Sequence, residues 1–470
     1  MSTILHVIPR LTLGGASRSL ITAVRALSER PSPNAHTIVS LRPGEAEMTE
    51  LAAASGIEVV HAPEPDRLDE AMVAADIVQI EWWNTPEMSE LLRRRLPPAR
   101  LALWSHVGGG SAPQVLAPEL IALPDAFVAS TPITGEPVVI PDIADPARLE
   151  GMSPGGHRDY AVGYLGTVDP SKMHAQFTDM SAAVDVPGCR FVVAGTGDGF
   201  AAIAARAEEL GARDRFDLRG YVRDVRPVLA GIDVFGYPLC RGNYGAAELV
   251  LQEAMHAGVP PVVLPHGGAA TLVDDGETGI VAADEREYVQ ALERLGRDPD
   301  LRGRLGTAAR EHARREWSPA AIAGRWADVH DELLQSPKRS RPPLPPAARG
   351  AELFVAGLGA EGGPFRDSLD GASHEADAPI AQAAPVVVSS DGGLLDYRRR
   401  YPDDPELRLW SGLVLRAQGR NALAAGELAA AIRLGCDPRR AAPALAAAGD
   451  ALGHPEVAGR ARAAAQGAAA

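Results

Sequence analysis

Lysine is nearly absent from this 470-residue chain. Lys172 and Lys338 are its two lysines among 46 basic residues, so arginine serves wherever a generic cation will do. A lysine kept inside a folded segment therefore suggests that a compact ammonium charge is needed there. Cysteine is also scarce. Cys189, Cys240 and Cys436 lie far apart without metal-ligand spacing, which argues against a disulfide framework and leads us to expect a reducing, cytoplasmic setting and no metal site. No stretch approaches the roughly 18 apolar residues of a spanning helix, and the N-terminus lacks the basic and apolar regions of a signal peptide. Positive charge is in deficit: a formal net charge of -15 argues against nucleic acid or an anionic membrane as the main partner.

What is present supports two or three domains with full-sized cores, since 46% of the residues are hydrophobic. Ile4–Ile8 reads as a buried strand. A loop with Gly14-Gly15 and a helix through about Leu27 follow. That arrangement lets backbone N–H groups approach a phosphate, although a tight strand-to-helix turn would select glycine equally well. Strands at 35–41, 59–60 and 77–80 alternate with helices at 45–55 and 68–74, which predicts a doubly wound parallel sheet. Leu101 to Gly110 repeats the theme, delivering His106 and three glycines to one sheet edge; the histidine is either structural or part of a site. Arg93-Arg94-Arg95 reads as a solvated helix face or, at most, a peripheral membrane patch.

Pro141 to Gly156 reads as an interdomain linker. A second doubly wound unit follows, with the strand 161–165, the loop Gly166 to Lys172, the strand 191–194 and then Gly195-Thr-Gly197-Asp-Gly199, which lacks the full spacing of a dinucleotide fingerprint. Tyr244 to Ala257 reads as a largely buried helix, capped by Gly258 and followed by a strand at 262–264. At Glu253 the helical neighbours Leu249, Val250 and Ala257 are apolar. A carboxylate there is costly to bury unless something, such as a polar ligand, hydrogen-bonds it.

Lys172 after its glycine loop, Phe191 to Gly199, Ala230 to Pro238, Glu253-Ala-Met-His-Ala-Gly258-Val-Pro and Leu272-Val-Asp-Asp-Gly276-Glu-Thr-Gly279 occur in the order and spacing of one family. Over about residues 3–335 the chain resembles the retaining GT-B glycosyltransferases of family four. The resemblance implies an α/β fold of two Rossmann-like doubly wound domains facing a cleft, an acceptor domain at 1–145 and a nucleotide-sugar domain at 157–335. It implies that Glu253 holds the ribose hydroxyls, Lys172 neutralises the donor diphosphate, Gly14 and Gly15 contact that diphosphate, and His106 lies near the reacting centre. The expected donor is a nucleotide-diphosphate sugar and the acceptor a carbohydrate, a lipid-linked group or a protein, with no cofactor and no metal. Two positions depart from the family. Thr167 replaces an arginine, and Gly245 replaces a glutamate eight residues before Glu253. Glu248 either reaches the donor sugar in that glutamate's place, as a catalytic residue, or merely complements the helix dipole.

Residues 336–350 form a proline-rich, basic stretch expected to be a stiff linker. Residues 351–390 resist assignment, although 353–358 and 386–388 are strand-like apolar runs. In 391–470, Gly419, Ala424 and Ala431 recur 34 residues later as Gly453, Ala458 and Ala465, with Gly412, Leu415 and Leu428 at small and large packing positions. This resembles tetratricopeptide repeats and implies a small α-helical repeat region open to a protein partner. Two alternatives to an enzyme stay in view: a nucleotide-sugar-binding pseudoenzyme, from the departures at Thr167 and Gly245, and an interaction scaffold in which the repeat tail carries the role.

Overall fold

The computed structural model describes residues 2–31, 33–133, 137–152 and 159–467, to which the counts below refer. Residues 153–156 of the expected linker, and 157–158 after them, lie outside the described residues. The chain divides into two compact units. One comprises Met1–Trp82, Leu96–Gly108 and Pro124–Arg341; the other comprises Trp83–Arg95, Gly109–Leu123 and Pro342–Ala470.

The first unit holds two parallel sheets, each flanked by helices. Strands β1 (Thr3–Ile8), β2 (Ala35–Ser40), β3 (Glu58–His61), β4 (Ile77–Trp82), β5 (Leu101–Ser105), β6 (Ala126–Ala129) and β7 (Val138–Val139) form a seven-stranded sheet in the order β3-β2-β1-β4-β5-β6-β7. Strands β8 (Ala161–Leu165), β9 (Arg190–Ala194), β10 (Phe216–Gly220), β11 (Val234–Tyr237), β12 (Pro261–Val263) and β13 (Ile280–Val281) form a six-stranded sheet in the order β10-β9-β8-β11-β12-β13. Both are doubly wound, as strand–helix alternation predicts. The winding reverses between β1 and β4 in the first sheet and between β8 and β11 in the second. Ligands in such sheets sit outside the carboxyl ends of the strands at that reversal. Those ends carry the Gly14-Gly15 loop after β1, the Gly166–Lys172 loop after β8 and the turn before Glu248 after β11.

Four sequence expectations change in detail. The helix read from Tyr244 begins only at Leu249 and runs to Ala257, because Tyr244 to Ala247 form a turn paired to neighbouring backbone. Gly258 does close it in the left-handed conformation, with φ of 79°. The helix Pro319–Leu334 does not stay with the second sheet, although it falls within 157–335. Its Ile322 and Trp326 share a buried cluster with Ile4 and Trp104 of the first sheet, and the Trp104 and Trp326 rings lie 5.0 Å apart. The start of the expected linker at 336–350 is anchored rather than free: Arg339 pairs backbone to backbone with Ala99, and buried Arg341 donates to Asp125 at 2.5 Å. The interdomain segment Asp142 to Ala144 is likewise held, by both ends of the fully buried Gln252 amide.

The second unit is helical. The strand-like runs at 353–358 and 386–388 lie instead in the helix Gly350–Ala356 with the turn that follows it, and in the helix Pro385–Val388, since a short apolar run does not distinguish a strand from a buried helix. Helix Pro86–Arg93 belongs here too and buries Glu87, Met88, Leu91 and Leu92. Arg93 and Arg94 are only half-exposed, so the expected solvated face is a packed one. Helices Pro405–Ala417, Asn421–Arg433, Pro438–Ala451 and Pro455–Gly467 form two consecutive pairs, each turning on a left-handed glycine, Gly419 or Gly453. A Cβ at Gly412 would lie 2.5 Å from Leu428, which explains the small residue facing the large one. Arg440, on the helix Pro438–Ala451, is buried between Asp377 and Glu406, both 2.8 Å away.

Candidate functional site

The two glycine-rich loops of the second sheet are built against each other. Gly195 and Gly197 adopt φ of 144° and 126°, and a Cβ on Gly195 would fall 1.7 Å from the Gly166 carbonyl oxygen. Glycine is required there so that one loop can lie on the other. Gly195-Thr-Gly197-Asp-Gly199 therefore shapes the Gly166–Lys172 loop, with Val168 donating to Thr196 and Gly199 donating to Val168 at 2.6 and 2.8 Å. Thr167 takes part through its carbonyl, which accepts from the Tyr164 hydroxyl at 2.8 Å.

This loop delivers Lys172 to Glu248. The ammonium lies 2.8 Å from Glu248 Oε2, and the Tyr237 hydroxyl donates to the same oxygen at 2.7 Å. Burial and the Glu248 charge push the Tyr237 hydroxyl well above its ordinary pKa, so it remains a donor. Glu248 occupies the cap position of the helix Leu249–Ala257, but its side chain makes no capping bond. Its carboxylate faces Lys172 instead, which separates it from a residue that only complements the dipole. Gly245 is what makes room: a Cβ there would lie 2.0 Å from Glu248 Oε1. The turn is pinned on both sides, with Gly108 donating to Tyr244 at 2.8 Å and Gly268 donating to Gly245 at 2.6 Å.

Glu253 is nearly fully buried, as its apolar neighbours on the helix foretold, and its partner is Arg148. Burial raises its carboxyl above the ordinary value, while Arg148 and Arg18 oppose the rise. Sequence reasoning missed Arg148, because 105 positions separate it from Glu253 and the segment around it reads only as a linker. Gly14 and Gly15 are exposed at the N-terminus of the helix Gly15–Ser28, and a Cβ on Gly15 would lie 3.4 Å from Leu249. Two helix N-termini, one from each sheet, thus open toward the same place, a favourable setting for an anion. Gly14, Gly15, Lys172, Gly245, Glu248 and Glu253 are joined by contacts that run through the helix Leu249–Ala257.

His106 is placed differently. Its Nδ1 lies 2.7 Å from Asp142 and its Nε2 lies 3.0 Å from Glu81, so both ring nitrogens are engaged inside the first sheet. Glu81, fully buried, also meets His6 Nδ1 at 2.8 Å and accepts from the Gln79 amide at 3.0 Å. The two carboxylates outweigh burial and hold the His106 imidazole up at about 10, in its cationic form. His6, Glu81 and Asp142 drew no notice in the sequence, where His6 reads as an ordinary strand position and Glu81 falls just past the strand read at 77–80.

The described residues contain no helix long and apolar enough to cross a membrane. Residues 159–298 match the family model described as glycosyl transferases group 1. Over 260 residues the chain is 29% identical to a D-inositol 3-phosphate glycosyltransferase of Stackebrandtia nassauensis, covering 47% of this chain and 58% of that one. Over 161 residues it is 28% identical to a lipopolysaccharide core biosynthesis glycosyltransferase of Rhizobium meliloti, covering 34% and 45%. The chain thus spans about half the length of these curated relatives. Among solved structures it superposes on Anabaena HepE in complex with UDP and glucose with a TM-score of 0.55 and 16% identity, covering 71% of this chain and 100% of that one.

Proposed function

We propose that the chain is a group 1 glycosyl transferase of the GT-B fold and that it transfers a sugar from a nucleoside-diphosphate donor to an acceptor hydroxyl with retention of configuration. The observation that carries this reading is the Lys172–Glu248 pair, seated on the Gly245 turn between two helix N-termini, with Glu253 one turn along the same helix. In this reading Glu253 takes the ribose hydroxyls, Lys172 and the N–H groups after Gly14 and Gly15 take the diphosphate, and Glu248 orients the donor sugar. Stabilising charge on the departing diphosphate supplies most of the rate, and the departing phosphate accepts the acceptor's proton. His106 acts as a fixed positive charge rather than as a proton carrier, because both its nitrogens are taken. The protein's own cations make the reaction metal-independent and free of any cofactor. Relatives named for D-inositol 3-phosphate and for lipopolysaccharide core biosynthesis favour a polysaccharide or glycoconjugate acceptor, and the neighbour bound to UDP favours a uridine nucleotide.

The test has two parts. A thermal-shift panel of nucleoside diphosphates and their sugars identifies the donor, because a ligand bound to the folded state raises its stability. Transfer or slow donor hydrolysis is then measured in Lys172→Ala and Glu248→Gln. We expect the lysine variant to lose about 100- to 1000-fold, as when one oxyanion-stabilising donor is removed, and the glutamine variant to lose about tenfold or more. Unchanged turnover in Lys172→Ala would overturn the assignment. Donor binding with no turnover for any acceptor would instead favour a pseudoenzyme, the reading suggested by Thr167.

A further inference from the structure

Lys172 is poorly matched to the task just assigned to it. Its ammonium is already committed to Glu248, and the neighbouring position that could have shared the load is the uncharged Thr167. A diphosphate carries at least two negative charges, so the site needs another cation. Arg148 and Arg18 sit beside Glu253. Arg148 is bonded to Glu253 with about a quarter of its side chain exposed, and Arg18 lies in the first turns of the helix that Gly14 and Gly15 begin. Burial and, after it, the neighbouring Arg148 lower the affinity of Arg18 for its proton, while Glu253 and Glu47, the latter 3.8 Å away, oppose the fall. Arg18 is also tied down, since its Nε donates to the Leu13 carbonyl at 3.1 Å.

We propose that Arg148 is a donor-binding residue that exchanges Glu253 for the diphosphate when nucleotide enters, supplying from the interdomain segment the charge that position 167 does not. The inference rests on the donor reading given above. When the ribose hydroxyls donate to Glu253, the guanidinium gives up that carboxylate, and an anion of higher charge arrives beside it. The exchange needs only side-chain rotation. The backbone that carries Arg148 is fixed by Gln252 at Asp142 and Ala144, and by the ion pair of Asp145 with Arg25 at 2.8 Å. A guanidinium also suits two phosphate oxygens better than an ammonium does, because its planar fork can bond both.

The decisive measurement compares two probes, uridine diphosphate and uridine, on the full chain carrying Arg148→Gln or Arg148→Lys, by calorimetry and by competition with saturation-transfer NMR. We expect Arg148→Gln to weaken uridine diphosphate about 10- to 100-fold, the scale of a lost charge-assisted hydrogen bond. Uridine should bind as well as to the unaltered chain or more tightly, since Glu253 is released, and Arg148→Lys should restore part of the diphosphate affinity. If both probes tighten, or neither changes, Arg148 only covers Glu253 and the proposal fails. If both weaken equally, Arg148 acts through the ribose and the proposal also fails. If the unaltered chain binds neither probe, nor guanosine diphosphate or adenosine diphosphate used as controls, the donor reading falls first and this inference with it.

Discussion

Two groups of buried carboxylates lie within the first unit, and they are satisfied in opposite ways. In the first sheet, Glu81 is fully buried and bonded to His6, Gln79 and His106, and His106 is bonded in turn to Asp142. Every charge there faces an equally buried partner. In the second, Glu248 and Glu253 are just as buried, but their cations Lys172 and Arg148 are 28% and 27% exposed. A buried partner cannot leave without an uncompensated charge behind it, whereas a half-exposed one can rotate into water or onto a ligand. The first group therefore reads as scaffold and the second as exchangeable, and three measurements test that division.

The largest effect should come from Glu81→Gln. It removes the charge that a cationic His106 faces and puts an amide donor in place of one of the two oxygens that meet His106 and His6, and breaking a buried pair of this kind costs about 3–5 kcal/mol. Urea unfolding should show that loss as a lower midpoint with an unchanged slope. A loss below about 1 kcal/mol would mean that the first network is as exchangeable as the second.

Next in size is the pH dependence of the unaltered chain. His106 is held near 10, above its unfolded value of about 6.5, by Asp142 and Glu81. Its contribution is complete below pH 6.5 and is lost as pH rises from 6.5 toward 10, with a slope of at most about 1.4 kcal/mol per pH unit. His36 and His330 act with the opposite sign. Burial lowers them to about 2 and about 3, so their contribution is present above pH 6.5 and fades as pH falls below it. Stability should peak near pH 6–7 and fall on both sides. A flat alkaline limb would show that His106 is not charged in the folded protein.

How much of this could be read in the sequence depended on the range of the interaction. The strands were legible because a parallel sheet buried on both faces selects continuous apolar runs such as Phe191 to Ala194. Lys172 stood out by rarity, and Glu253 by the apolar residues one helical turn to either side, a short-range argument. Arg148 did not, because nothing local marks one arginine among many as the partner of a residue 105 positions away. The same holds for His6 and Glu81, which meet only because β1 and β4 are neighbours at the reversal of the sheet. The helix Pro319–Leu334 carries an apolar face that fits either sheet, and only the folded chain shows that it turns to Trp104. Two short apolar runs, 353–358 and 386–388, look strand-like in a segment that resists assignment, because periodicity cannot separate strand from buried helix at that length.

The smallest stability effect, and the sharpest contrast with Glu81→Gln, should come from the same substitution at Glu253. A glutamine there keeps an oxygen to accept from Arg148 and removes a charge whose burial already raises the carboxyl above its ordinary value. The loss of attraction and the relief of desolvation nearly cancel, so unfolding should shift by less than about 1 kcal/mol in either direction. Nucleotide binding should respond far more, because an amide accepts ribose hydroxyls less strongly than a carboxylate and also presents a donor to them; about tenfold weaker uridine diphosphate binding is expected if uridine is the nucleoside. A stability loss matching that of Glu81→Gln, with binding unchanged, would place Glu253 in the scaffold and erase the division between the two groups. A near-neutral fold with impaired binding would mean that the chain keeps a costly buried carboxylate at this position for its ligand.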